Sequence, residues 1–356
     1  MKILADSTLP GLVAAFPKPF ELTLYEDVND LPELLKNQQV LICRSTLKVN
    51  DGLLKNSALR YVATASSGTD HIDADYLHSR GIELIDAKGS NATAVADYVI
   101  ASLAFLKKFK GLSPTKAAVI GVGEVGSKVL KRLQAVGLDV LSYDPPKAKQ
   151  SANFVSCALD ALSECDLISI HANLHSTMPH PSFNLINDTL LKKLKPRCAV
   201  INASRGGIVN EREILKHESL IYCTDVYSNE PAINEEIIHF ATLCTPHIAG
   251  HSLEAKDEAI FMLSRKLHTA YGLSIPKFSI PTSSQASRWT VDQTWEDYIL
   301  SLYNPMFETE ILKNADKLEA TFLRLRKAHH HRHDFAVSAK ESTTNKSYLG
   351  ILGIEG

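Results

Sequence analysis

The run Ala117-Ala118-Val119-Ile120, followed at once by Gly121-Val122-Gly123-Glu124-Val125-Gly126, constrains this chain more than any other feature. Four apolar residues without a polar break read as a strand buried on both faces, and SKVLKRLQAV after the glycines reads as a helix. Gly121 suits a tight turn, Gly123 lets backbone approach a ligand closely, and Gly126 lets the helix pack on the strand. The helix start would offer unpaired N–H groups and a positive dipole end to a phosphate. A second strand, DVLSYD, ends in Asp144, which lies 144 − 126 = 18 residues past the last glycine. An acid there binds ribose hydroxyls and repels a 2′-phosphate, so NAD is expected over NADP, although Lys147 and Lys149 lie close by.

The rest of the chain reads as α/β. Strands are expected at Lys2–Ala5, Val40–Arg44, Tyr61–Ala65 and Glu83–Ile85, then a buried helix over Thr93–Lys108. A second series runs Ala117–Ile120, Asp139–Tyr143, Leu167–His171, Ala199–Asn202, Leu220–Thr224 and Leu243–Thr245. Strand and helix in alternation predict two doubly wound parallel-sheet domains, Rossmann- or flavodoxin-like. SLEAKDEAIFMLSRKLHTAYG predicts a further helix, and IPKFSIPTSSQAS a linker. Beyond it, helices are expected over Trp295–Phe307 and Asp316–Ala328, then a short strand FAVSA, which makes a small α+β tail with too little core to stand alone. In the tract AHHHRHD an exposed polar helix end is expected rather than a metal site.

Three polar residues follow later strands, where an open α/β sheet places its ligand crevice. Arg205 stands in INASRGG, Asp225 and Glu230 in TDVYSNEP, and His247 in CTPHIAG. Oxidation of a 2-hydroxy acid needs these types. Arg205 can grip the carboxylate with its fork of donors. His247 can take the hydroxyl proton, and Glu230 can hold its other ring nitrogen. Asp225 is expected near the nicotinamide or its ribose.

With these motifs in this order, the chain resembles the D-isomer-specific 2-hydroxyacid dehydrogenases over about residues 1–275. GVGEVG, NASRGG, DVYSNEP and TPHIAG carry the resemblance, joined by RSTLKVN, TASSGTDHID and HIAGHSLEAK. It implies a substrate-binding domain from 1–95 and 250–275, an NAD-binding domain over 96–249, and a C-terminal dimerisation domain over 285–356. It also implies Arg205, Glu230 and His247 as the catalytic set. The cofactor set becomes Gly121, Gly123, Glu124, Val125, Gly126, Asp144, Ala203, Arg205, Asp225 and Gly250. Ser45, Ser66 and His251 would touch substrate, a small phosphorylated 2-hydroxy acid, with Arg44 and Lys48 offered for the phosphate on charge alone. Three positions depart from the family pattern: Ala172 and Asn173 after His171, and His251 after Gly250, where the relatives have tyrosine.

Composition narrows the alternatives. A net charge of −2 over 356 residues gives no electrostatic case for nucleic acid or an anionic membrane. No run of about 18 apolar residues predicts a bilayer span, and MKILADSTLP lacks a signal-peptide core. Six cysteines without C-x-x-C spacing read as buried thiols, no metal site is expected, and the expectation is a cytoplasmic homodimer. The competing readings are a relative acting on 3-phosphoglycerate, glyoxylate or D-lactate, and a non-catalytic NAD-sensing protein on the same scaffold. The intact Arg205, Glu230 and His247 weigh against the second.

Overall fold

Short, almost wholly apolar strands dictate sheets covered on both faces, and the computed structural model contains two of them. It describes residues 1–280, 293–329, 331–339 and 348–354. The chain divides into one unit of residues 1–91 and 253–283 and a second of 92–252 and 284–356.

In the first unit β1 (Lys2–Asp6), β2 (Glu21–Tyr25), β3 (Val40–Cys43), β4 (Tyr61–Thr64) and β5 (Glu83–Asp86) form a parallel sheet in the order β2-β1-β3-β4-β5. Sequence reading missed β2. It is an edge strand with most of its side chains exposed, so ELTLY carries no apolar run. The helix Leu253–Ala270 belongs to this unit, and Ile260, Leu263 and Leu267 enter its core with Ile3, Ile42 and Ala63.

The second unit holds β6 (Lys116–Ile120), β7 (Asp139–Tyr143), β8 (Leu167–Ile170), β9 (Ala199–Asn202), β10 (Ile221–Thr224) and β11 (Leu243–Cys244). All pair in parallel, in the order β11-β10-β9-β8-β6-β7. Alternate residues of β6 face opposite cores: Ala117 and Val119 one side, Ala118 and Ile120 the other. The order reverses between β6 and β8, and this switch point sets the crevice at the strand ends. The helix Ala92–Lys110 is buried through most of its length and ends on Lys107, Lys108 and Lys110, which suits its dipole.

The tail is part of this second unit. Tyr298, Ile299, Phe335 and Leu352 complete the core on one face of the sheet, while Leu312, Phe322 and Leu325 complete it on the other. Lys107 and Lys108 pair with Glu296 and Asp297 of the tail. Three expectations are corrected here. The expected helix Trp295–Phe307 is two, Trp295–Leu302 and Met306–Lys313, because Pro305 disfavours helical backbone at Asn304. FAVSA is not a strand: Phe335–Ser338 is a helical turn, so the described residues of the tail are helical rather than α+β. No sheet edge receives that segment; Phe335 N donates instead to the buried Asp97 carboxylate, and Phe335, Ser338 and Ala339 bury one helical face. The histidine tract follows the end of the helix Leu318–Ala328 and His331 is exposed, but the tract is not solvated throughout, since the Arg332 side chain is buried and His329 nearly so; His330 lies outside the described residues.

Candidate active site

The glycine-rich turn has the geometry its spacing demands. Gly121 takes φ +80°, and a Cβ there would strike the backbone of Ala172. A Cβ on Gly126 would lie 1.9 Å from the Gly121 carbonyl oxygen. Around Gly123 there is open space, which is where a pyrophosphate needs room. Glu124 and Val125 begin the twelve-residue helix Glu124–Ala135, which follows Gly123 and has no side-chain N-cap. Asp144 closes the turn: its Oδ2 accepts from Val122 N at 2.8 Å and its Oδ1 from Lys147 N at 3.0 Å. Lys147 is spent on the Val122 carbonyl and the Phe154 ring, which removes it as a ready 2′-phosphate ligand. The open glycine turn, the helix start and the acid fit a dinucleotide.

On the other side of the switch point, β9, β10 and β11 lie side by side, and each delivers one polar residue from its C-terminal end. After β11 the backbone turns sharply, and His247 adopts φ +56°, a left-handed conformation unusual for a side chain of its size. The buried Asp225 holds it there. Its Oδ1 accepts from Ile248 N and Thr245 Oγ1, its Oδ2 from Ala249 N, and its carbonyl from His247 N. Burial pushes the Asp225 carboxyl up from its ordinary range, opposed by His247 and these donors.

The turn aims His247 Nδ1 at Glu230 Oε2, 2.6 Å away. Glu230 Oε1 accepts from Tyr227 N at 2.9 Å. Burial raises the Glu230 carboxyl, but His247 and these hydrogen bonds outweigh it, so the group stays below the usual range and ionised. His247 remains part-exposed, so its Nε2 is the nitrogen left for a ligand.

Arg205 follows β9, with Nη1 on the Ser204 carbonyl and its own carbonyl accepting from Asn202 Nδ2. The next residue explains the double glycine: a Cβ on Gly206 would lie 1.9 Å from the Tyr227 carbonyl oxygen. The Arg205 loop is thus pressed onto the loop that carries Glu230, and Glu211 Oε1 seals the contact by accepting from Ser228 N. Gly206, Glu211, Tyr227 and Thr245 were not singled out from the sequence. Only the glycine doublet carried a visible signal.

The remaining expected residues fall as follows. Ala203 is half-buried beside Arg205, and Gly250 follows Ala249 in the His247 turn. Ala172 lines the Gly121 turn with its backbone, and Asn173 is exposed. His171 beside them donates or accepts at Ser169 Oγ, and burial pushes it down to about 3, which keeps it neutral. His251 is turned inward, 6.2 Å from the His329 ring, and burial, with His329, His247, Arg326 and Arg332 nearby, pushes it well down. In the first unit Ser45 and Ser66 follow the paired strands β3 and β4, and Arg44 is held by Asp6 at 2.9 Å. Lys48 is exposed. All six cysteines are free thiols.

Comparison with known proteins identifies the family. Residues 99–249 match the family model "D-isomer specific 2-hydroxyacid dehydrogenase, NAD binding domain". The chain is 55% identical over 336 residues to an erythronate-4-phosphate dehydrogenase of Legionella pneumophila strain Lens, covering 94% of this chain and 95% of that one. It is 35% identical over 331 residues to the enzyme of that name from Coxiella burnetii, covering 90% of each. The fold is similar to that of NAD⁺-bound 3-phosphoglycerate dehydrogenase from Entamoeba histolytica, with TM-score 0.63 and 23% identity over 79% of this chain and 99% of that one. The chain therefore belongs to the D-isomer-specific 2-hydroxyacid dehydrogenases, within the branch of the erythronate-4-phosphate dehydrogenases.

Proposed function

We propose that this enzyme oxidises 4-phospho-D-erythronate to 2-oxo-3-hydroxy-4-phosphobutanoate with NAD, a step of pyridoxal 5′-phosphate (vitamin B6) synthesis. The observation that carries the chemistry is the His247–Glu230 pair, 2.6 Å apart at the mouth of a dinucleotide fold. The substrate is carried by the relatives' shared name.

Gly121, Gly123, Glu124, Val125, Gly126 and Asp144 hold the cofactor, with Ala203, Arg205, Asp225 and Gly250 toward its nicotinamide end. NAD, when bound, accepts the hydride from the carbinol carbon. His247 Nε2 removes the hydroxyl proton, and ionised Glu230 stabilises the imidazolium through Nδ1–H. Arg205 holds the substrate carboxylate bidentately and keeps the carbinol carbon in place. Ser45, Ser66 and His251 contact the rest of the substrate. The assay that tests this is NAD reduction on 4-phospho-D-erythronate, run beside 3-phosphoglycerate, glyoxylate and D-lactate. Turnover of one of those acids without turnover of the first would overturn the substrate.

Arg44 is the phosphate ligand in this reading. Lys256, half-buried, is pushed down by burial and by the Arg44 charge, so two cations share one neighbourhood. Asp6 already pairs with Arg44 and Asp257 lies by Lys256, and a phosphate would add a further negative group to this neighbourhood. Arg44→Ala is expected to raise KM for the phosphorylated acid about 10- to 100-fold with a smaller change in kcat, as loss of a charged hydrogen bond does. An unaltered KM removes Arg44 from this role.

The cofactor preference has its own test. Asp144→Ser should shift the kcat/KM ratio of NADP to NAD upward by about 10- to 100-fold, since it deletes a charge beside the 2′ position. No shift in the ratio would remove Asp144 as the discriminator.

Phe307, Ile311 and Leu323 of the tail are 66%, 43% and 48% exposed. An apolar surface of this kind supports a homodimer through the tail, which sedimentation of the whole protein can measure. A cytoplasmic location goes with this reading; no helix among the described residues is long and apolar enough to cross a membrane.

A further inference from the structure

We infer that Arg332, in the C-terminal tail, is a positioning residue for the proposed catalytic turn and makes the tail part of the hydride-transfer machinery. The inference rests on the reading of His247 as the acid–base. Arg332 is 7% exposed, and its Nη2 donates to two backbone carbonyls at once, Ala249 O and, at 3.2 Å, Ala94 O. Ala249 is two residues past His247. Its N–H is already held by Asp225 Oδ2, so the peptide chain leaving His247 is gripped on one side by Asp225 and on the other by Arg332. Ala94 belongs to the first turn of the helix Ala92–Lys110, so one nitrogen ties the catalytic turn to the longest buried helix of its unit.

Several contacts fix the guanidinium itself. Its carbon lies 4.7 Å from the centroid of the Tyr303 ring. Tyr303 leans on Tyr98, whose hydroxyl is 2.9 Å from Thr245 Oγ1, and Thr245 donates in turn to Asp225. Three residues downstream, Phe335 N is anchored on Asp97 Oδ2, and Asp97 is paired in the core with Arg132. The tail therefore holds Arg332 from both flanks and feeds into the same hydrogen-bonded set that shapes the turn.

Energetics point the same way. Nε and Nη1 of Arg332 have no hydrogen-bond partner among the described residues. A buried guanidinium with unused donors is an unfavourable means of stabilising a core. What this one supplies is fixed geometry at two carbonyls. A reacting imidazole is sensitive to that, because rates fall steeply with small displacements.

The experiment compares wild type, Arg332→Ala, Arg332→Lys and His247→Ala in the full chain, with NAD and 4-phospho-D-erythronate. Arg332→Ala is expected to lower kcat about 10- to 100-fold while KM for the acid stays within about 3-fold. Arg332→Lys, which keeps the charge but not the reach, should fall between it and wild type. Methylguanidinium added at millimolar concentration should restore part of the kcat of Arg332→Ala and none of that of His247→Ala. Wild-type kcat in either Arg332 variant overturns the inference, as does a loss confined to KM, or a loss that tracks a lowered melting temperature and gains nothing from methylguanidinium. If Arg332→Ala does not fold, Arg332→Lys decides by the same kcat criterion. Retained turnover in His247→Ala would instead sink the reading of His247.

Discussion

His247→Gln is expected to lower kcat by about 10²- to 10⁴-fold, the range for loss of a positioned general acid–base, while the NAD dissociation constant changes little. Glutamine preserves much of the volume but cannot carry a proton between substrate and solvent. The expectation is this large because so much of the fold serves one ring. The backbone of His247 is held in the left-handed region, Asp225 collects two consecutive N–H groups behind it, and Glu230 fixes Nδ1 at 2.6 Å. Glu230→Gln should cost less, because the imidazole keeps its place and loses only the charge that favours its protonated form. Steady-state kinetics paired with NADH fluorescence titration separates the two quantities. Full turnover in His247→Gln would remove the residue from proton transfer.

Gly126→Ala is the second large effect, and it acts on binding and folding together. The new Cβ would sit 1.9 Å from the Gly121 carbonyl oxygen, with Val119 Cγ1 at 3.2 Å behind it. Both neighbours belong to the strand and turn of the proposed cofactor site, so the overlap is relieved only by opening that turn. A stability loss of about 1–3 kcal/mol is expected from overpacking, with NAD affinity reduced beyond measurement. Gly123→Ala is the informative contrast. Its Cβ meets nothing within 4 Å, so the melting temperature should hold while NAD binds more weakly, the methyl standing where phosphate approaches. Normal NAD affinity in Gly126→Ala would mean that the turn is not the cofactor's.

The glycine-rich turn of the proposed cofactor site was legible because its reasons are local. Strand, turn and helix are contiguous, and each glycine answers to an atom within the same short stretch, as Gly126 does to Gly121. The proposed catalytic trio Arg205, Glu230 and His247 could be placed for a related reason: parallel sheets set neighbouring strand ends side by side, so residues far apart in sequence share one edge by topology. The tail was much less legible. FAVSA has the composition of a strand, yet Asp97, more than two hundred residues earlier, turns it into a helix by capping Phe335. The histidine tract looked like a solvated helix end, and Arg332 within it is among the most buried charges in the molecule.

What the sequence determined by itself was most of the strand order, the parallel character of the sheets, the glycine-rich turn and the residue types that hydride transfer needs, since periodicity and short motifs act over a few residues. Only the tertiary structure decided that Asp225 serves as the backstop of the His247 turn, that Gly206 lets the Arg205 and Glu230 loops press together, and that the tail enters the core of the second unit. Those facts depend on which backbone groups meet across the fold, and a buried donor or acceptor finds its partner by proximity in space.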